Sequence, residues 1–240
     1  MKLPLLLIAL LLGVGGCASQ GDDLSKSPAA DSAGEGETPT SAPTFAPTSF
    51  GGTATHAAVA ASSLKTLAHL VTPQKTLGFQ SPGEAASASL ANPLPMFMVG
   101  LNDLRTYRVG DDPRPLLKDE GSVLYPVSVG GDVRSAMVVR KVNGEWKATQ
   151  FGRANLARFA HEGRRRVSLA RGVIESGVAL VEIPTMSARM LEHEENGVPM
   201  LTALLDVPGT DLRAGATVSA AEAFAKLQPL AARNDGKTPN

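Results

Sequence analysis

The chain has 240 residues and 43% hydrophobic residues, so it is long enough for a packed core. Its formal net charge of +0 provides no electrostatic field that would steer nucleic acid, and we expect no nucleic-acid partner. The single cysteine, Cys17, excludes a disulfide within the chain.

Residues 1–16 have the pattern of a bacterial export signal. Lys2 supplies a positive charge, and residues 3–12 form an apolar run shorter than the about 20 residues that span a bilayer. Val14-Gly15-Gly16-Cys17 follows, an aliphatic residue and two small residues before a cysteine. This segment resembles the lipobox of bacterial lipoproteins. The resemblance implies cleavage before Cys17 and covalent attachment of lipid to its thiol.

The alternative is an ordinary secretory signal with an incidental cysteine. In the lipoprotein family, an aspartate directly after the cysteine favours retention at the inner membrane, and this chain has Ala18 there. The resemblance therefore implies a lipid-anchored protein of the cell envelope, at the outer membrane if the source has two membranes. Membrane attachment through the lipid is the first expected partner interaction.

Residues 17–55 are predicted to be the lipidated cysteine and a disordered tether. The segment is rich in Ser, Thr, Ala, Gly and Pro and lacks an apolar stripe. As a flexible coil it would reach roughly 30 Å from the membrane. We expect the globular body at residues 56–233 and a disordered tail at residues 234–240.

The body is predicted to begin with helices. One helical face carries the apolar residues Ala61, Leu64, Leu67, Ala68 and Val71. Thr72-Pro73 stops this helix, and Ser81-Pro82-Gly83-Glu84 resembles a capping box that opens a second, short helix. Residues 94–101 then form an apolar strand, which Pro95 places at a sheet edge or at a strand start.

From residue 123 onward the period changes to two, which indicates antiparallel strands. The predicted strands are 123–129, 133–142, 146–151, 178–183, 186–194 and 198–207. A helix from Ala154 to about Gly163 follows the third of these strands, and the capping box Ser219 to Glu222 opens a final helix. Asn143-Gly144 and Asn196-Gly197 predict tight hairpin turns, because both residue types accept positive φ.

These elements predict an α+β fold, with an antiparallel sheet built from hairpins and helices packed on one side. Strands, an Asn-Gly hairpin and a helix occur twice, which leaves open one domain or two similar halves with a boundary near 165–177. The plan loosely resembles small exported modules of the PepSY and cystatin-like kind. The progression Tyr125-Pro126-Val127, Val133-Arg134-Ser135 and Gly144-Glu145-Trp146 is also similar to that of uncharacterised secreted proteins. Neither resemblance implies an activity.

We predict no catalytic residues, no cofactor and no metal site. Ser62 and Lys65 have the Ser-x-x-Lys spacing of penicillin-recognising enzymes, but the companion motifs of that family are missing. The four histidines are scattered without metal-ligand spacing. The run from Glu192 to Glu195 could bind a metal weakly, although a charged hairpin tip before Asn196 is the preferred interpretation.

One charged cluster remains as a candidate binding site. Six arginines lie within nineteen positions, and the guanidinium group suits planar anions. They are Arg153, Arg158, Arg164, Arg165, Arg166 and Arg171. The alternative is a solvated helix end, or pairing with the acids around Glu192.

The favoured function is a non-catalytic module that binds or scaffolds an envelope protein or anionic component. The alternative function is an envelope hydrolase whose site forms only in the fold.

Overall fold

A computed structural model describes residues 53–72, 75 and 77–234, with side chains from residue 56 onward. Its helices are α1 (Thr53–Leu70), α2 (Pro82–Ala86), α3 (Leu101–Thr106), α4 (Ala154–Arg171) and α5 (Ala220–Arg233). Its strands are β1 (Ser89–Leu90), β2 (Leu94–Met98), β3 (Lys118–Val129), β4 (Asp132–Val142), β5 (Glu145–Gly152), β6 (Ala179–Ile183), β7 (Ala188–Glu195), β8 (Val198–Ala203) and β9 (Thr217–Ser219). The predicted signal peptide, Cys17, tether residues 17–52 and tail residues 235–240 lie outside the described residues.

The strands form one continuous sheet in the order β5-β4-β3-β2-β6-β7-β8-β9, and β1 pairs with β3 beside β2. β2 and β6 are parallel, whereas every other neighbouring pair among the described strands is antiparallel. The predicted α+β class with a mostly antiparallel sheet is therefore confirmed. The segment 165–177 holds the end of α4 and the connection to β6, and the sheet runs on between the two halves through the β2–β6 pair.

The helices pack on both faces of this sheet, which differs from the predicted one-sided arrangement. Alternate residues of a strand point to opposite faces. On β6, Leu180 belongs to the core under α4, whereas the next residue, Val181, belongs to the core under α3 and α5. α1 and α2 lie on the same face as α5, against β3 and β4 residues such as Tyr125 and Met137. Sequence periodicity shows that a helix has an apolar side but not which sheet face receives it.

Apart from β1, the sheet consists of two runs of four strands on either side of the boundary between β2 and β6, and each run is followed in sequence by a helix. The first run is β2 to β5 with α4, and the second is β6 to β9 with α5. α4 and α5 lie on opposite faces of the sheet. This arrangement is the one expected if a two-fold axis parallel to β2 and β6 related the two runs, because rotation by 180° about such an axis exchanges the faces. The two Asn-Gly hairpins do not correspond, because one joins the third and fourth strands of its run and the other joins the second and third.

Both predicted Asn-Gly turns are confirmed. Asn143 and Gly144 have φ values of 54° and 84°, and Asn196 and Gly197 have φ values of 51° and 78°. Two successive residues with positive φ match the twist of the strands that they join. These turns connect β4 to β5 and β7 to β8.

Pro95 does not mark a sheet edge, since β2 pairs with strands on both sides. The parallel pairing with β6 begins at Met96, one residue after the proline. Pro95 is the second residue of β2 and precedes the first pair of the parallel ladder, so its missing amide hydrogen falls at the strand start, which is the strand-start alternative of the prediction.

The first helix begins at Thr53, three residues before the predicted body. Its buried side includes Ala60 and Leu67, and Val71 is buried directly after its end, whereas Ala61 is exposed, contrary to the predicted face. Within the described residues, no helix combines the length and apolarity needed to cross a membrane.

Candidate functional site

α4 carries the predicted arginine cluster and runs through Gly163, where the sequence predicted its end. Gly163 is instead an interior contact residue. A Cβ atom there would lie 2.8 Å from Cδ2 of Leu204 and 2.9 Å from Cδ1 of Leu191. The helix ends at Gly172, which has the left-handed conformation (φ 67°) and donates its amide hydrogen to the carbonyl oxygen of Ser168. Both glycines thus serve α4, one by close packing and one by capping.

The inward side of α4 packs against the sheet. Leu156, Ala157, Ala160 and Val167 join a core cluster with residues of β2, β3, β4, β6 and β7. Burial of such apolar side chains contributes about 1.5–3 kcal/mol for each large residue. This packing fixes the rotation of α4 and so decides where each arginine points.

Arg164 lies on the inward side and is wholly buried, with 0% of its surface exposed. Its Nη1 atom donates hydrogen bonds to the carbonyl oxygens of Asn92 and Pro93, each at 3.0 Å. Its Nε atom lies 3.4 Å from the carboxylate of Glu175. Burial lowers the pKa of Arg164, and the Glu175 carboxylate opposes that shift. Arg164 is therefore not part of a solvent-facing patch, and its role is to tie α4 to the segment before β2.

Arg153 and Arg171, at the two ends of α4, are paired with acids. Arg153 forms a bidentate ion pair with Glu182 on β6, whose carboxylate also accepts a hydrogen bond from Arg189. Nε of Arg171 lies 3.7 Å from Oε1 of Glu195. Pairing with the acidic run near Glu192, the alternative interpretation, thus holds for Arg171.

The other three arginines of the cluster are exposed. Arg158 donates a hydrogen bond to the Asn155 side chain, and neither Arg165 nor Arg166 forms an ion pair within the described part of the chain. Arg158, Glu162, Arg165 and Leu169 follow one another at helical spacing along the outward side of α4. We call these four residues the outer stripe.

Apolar side chains accompany the outer stripe at the end of α4. Leu169 is 83% exposed, and Ile174, two residues beyond the helix-capping Gly172, is 71% exposed. Exposed large apolar residues next to arginine differ from an ordinary solvated helix end, where polar residues cover the surface.

A groove of about 150 Å³ lies on the flank of α4, between the helix and strands β8 and β9. Arg166, Arg171, Thr202 and Thr217 supply its polar groups. Its remaining walls are apolar or small, formed by Gly163, Val167, Ala170, Ala203, Leu204 and Gly215. We call it the α4 groove. Sequence reasoning did not find it, because Thr202 and Thr217 carry no motif and are far from α4 in sequence.

The residues considered for catalysis and metal binding are not assembled into a site. The Ser62 hydroxyl donates back to the Val59 carbonyl of its own helix, and both Ser62 and Lys65 are exposed. His193 is buried in β7 and hydrogen bonded through Nε2 to Glu195 at 2.8 Å. In the described ranges, no group of three His, Cys, Asp or Glu residues is arranged to hold a metal ion.

Comparison of the chain with models of protein families, with curated proteins and with solved structures found no match.

Proposed function

We propose that this chain is a lipid-anchored, non-catalytic module of a bacterial envelope whose body binds an anionic bilayer through the outer stripe of α4. The observation that carries the proposal is the combination of Arg158 and Arg165 with the exposed Leu169 and Ile174. Arginine holds its charge at any relevant pH and suits the planar oxygens of phosphate head groups.

The apolar residues favour a bilayer over other anionic partners. An acidic glycan offers charge but no hydrocarbon, so Leu169 and Ile174 would remain exposed to water beside it. At a bilayer the arginines would contribute about 1 kcal/mol each near the surface. Transfer of the two apolar side chains out of water would add about 1.5–3 kcal/mol each at full burial.

Such a contact is weak alone, and the proposed lipid on Cys17 would make it effective. Covalent attachment confines the body near the membrane and raises its effective concentration there. A tether of the predicted length, roughly 30 Å as a flexible coil, would let the body reach the surface of the same membrane.

The test is flotation of residues 18–240, which lack the lipidated cysteine, with vesicles of known composition. Vesicles containing phosphatidylglycerol should retain the protein, vesicles of phosphatidylcholine alone should not, and added salt should weaken retention. The double variant Arg158→Gln with Arg165→Gln should lose most of this retention. Leu169→Ser should weaken it at low and high salt alike, because its contribution is not ionic.

The matched control is Arg108→Gln with Arg233→Gln, two exposed arginines outside α4 that remove the same total charge. Retention of this control should equal that of the parent. The proposal fails if the parent shows no preference for anionic vesicles, or if both double variants lose retention equally. It also fails if a soluble acidic polysaccharide binds as tightly as vesicles and Leu169→Ser has no effect, since the partner would then be a glycan.

A further inference from the structure

The α4 groove combines features that the outer stripe does not have. The outer stripe is convex and points to solvent, whereas the groove is concave and has walls from a helix and from two strands. The groove exists because Gly163 brings α4 close to Leu191 and Leu204 at one point. Beyond that contact the small side chain of Ala170 leaves space between α4 and β8.

The polar groups of the groove are suited to an anion. Arg166 is an exposed arginine without an ion pair in the described residues, and the ion pair of Arg171 with Glu195 is long, at 3.7 Å. Across the groove, the hydroxyl oxygens of Thr202 and Thr217 lie 2.8 Å apart. One of these hydroxyl groups donates to the other, and the second can donate its hydrogen to a ligand.

The rest of the groove is apolar. Val167 and Leu204, which are both buried, form its walls, and Gly215 adds no side chain. A phosphate ion would have most of its oxygen atoms against hydrocarbon here, without donors. A carboxylate has one charged end and can carry an aliphatic tail, so it matches both halves of the groove.

We propose that the α4 groove binds a small branched aliphatic carboxylate, with the carboxylate on the Arg166 guanidinium and a threonine hydroxyl, and the tail against Val167 and Leu204. The volume of about 150 Å³ equals about five water molecules at about 30 Å³ each, which sets the ligand at roughly five to eight heavy atoms. This site is separate from the outer stripe and does not depend on membrane binding.

The test is a titration of the full chain, processed by its expression host and purified in nonionic detergent, with isovalerate as the probe. Isothermal calorimetry or chemical-shift changes should show saturable binding with a dissociation constant on the order of 1 mM, typical of a ligand this small. Isovaleramide, which has the same shape without the charge, should bind at least about tenfold more weakly.

Three variants test the geometry. Arg166→Gln should weaken isovalerate binding by about tenfold or more, the loss typical of removing a charged hydrogen-bond partner. Ala170→Leu should abolish binding by filling the groove, and Thr217→Val should weaken it severalfold. The matched control is Arg165→Gln, which removes the neighbouring positive charge from outside the groove and should leave the affinity within about twofold.

Several outcomes would overturn the proposal. They are a parent protein without saturable isovalerate binding, equal losses from Arg165→Gln and Arg166→Gln, full binding by Ala170→Leu, and inorganic phosphate binding as tightly as isovalerate. Arg166 and Ala170 are not in the outer stripe, so their variants should retain vesicle binding. Failure of this site and failure of the membrane proposal are therefore distinguishable.

Discussion

Glu192 should make the stability of this protein depend on pH. Its side chain projects from β7 between the apolar residues Ala179 and Leu201 of the neighbouring strands. Burial raises the pKa of Glu192 to about 7, the Glu194 carboxylate adds to the rise, and Arg114 opposes it. The folded protein therefore keeps a proton on this carboxyl group that the unfolded chain, with a pKa of 4.5, releases at lower pH.

The pKa difference determines the sign and size of the effect. Between about pH 4.5 and about pH 7 the unfolded state binds fewer protons than the folded state, so stability falls as pH rises. Above that range the penalty is complete at roughly 3 kcal/mol, because one pKa unit corresponds to about 1.4 kcal/mol. Glu192→Gln does not titrate. It should be roughly 3 kcal/mol more stable than the parent at about pH 8, and less than about 0.5 kcal/mol more stable at about pH 4.5.

Urea unfolding followed by far-UV circular dichroism at the two pH values measures both differences. The control is Glu145→Gln, on an exposed glutamate of β5, which should change stability by no more than about 0.5 kcal/mol at either pH. A gain from Glu192→Gln that is the same at both pH values would refute the reasoning, because a packing effect of a neutral side chain does not titrate.

Gly78→Ala should destabilise the fold by more than about 3 kcal/mol in urea unfolding, because the added Cβ atom would lie 1.9 Å from the backbone oxygen of Arg134. A loss of stability below about 1 kcal/mol would contradict this close approach. Gly144→Val and Gly197→Val should each cost more than about 1 kcal/mol, since both glycines have positive φ, and unchanged melting temperatures would argue against it. Cys17→Ser should release the protein from membranes and abolish labelling by a fatty-acid probe; normal processing with continued membrane association would count against lipidation.

The parts of the fold that follow from local chemistry were predictable from sequence. The Asn-Gly turns need positive φ, and the capping serines Ser81 and Ser219 accept the amide hydrogens of Glu84 and Glu222 as their spacing indicated. Both features depend on residues within four positions of each other, where the chemistry of a few side chains decides the conformation.

The parts that follow from distant contacts were not predictable. The parallel pairing of β2 with β6 joins residues more than eighty positions apart and leaves no local pattern. In the sequence, Gly163 has the position of a glycine that ends a helix. Only the structure shows that a glycine is needed there because Leu191 and Leu204 lie against it. The prediction that α4 ends near this glycine was wrong for that reason, and the arginines after it were consequently not assigned to helix faces.

Arg164, Arg165 and Arg166 are consecutive, yet α4 turns them in three directions, because successive residues of a helix are about 100° apart. Arg164→Gln should destabilise the protein by about 1–3 kcal/mol, since it removes the charged donor that the carbonyl oxygens of Asn92 and Pro93 share. Arg165→Gln should weaken vesicle retention, and Arg166→Gln should weaken isovalerate binding, with stability within about 0.5 kcal/mol of the parent in both. If the six arginines were equivalent members of one solvated patch, Arg164→Gln, Arg165→Gln and Arg166→Gln would instead weaken anion binding to a similar extent, and none of them would lower stability. That pattern would refute the separate roles assigned to these neighbours.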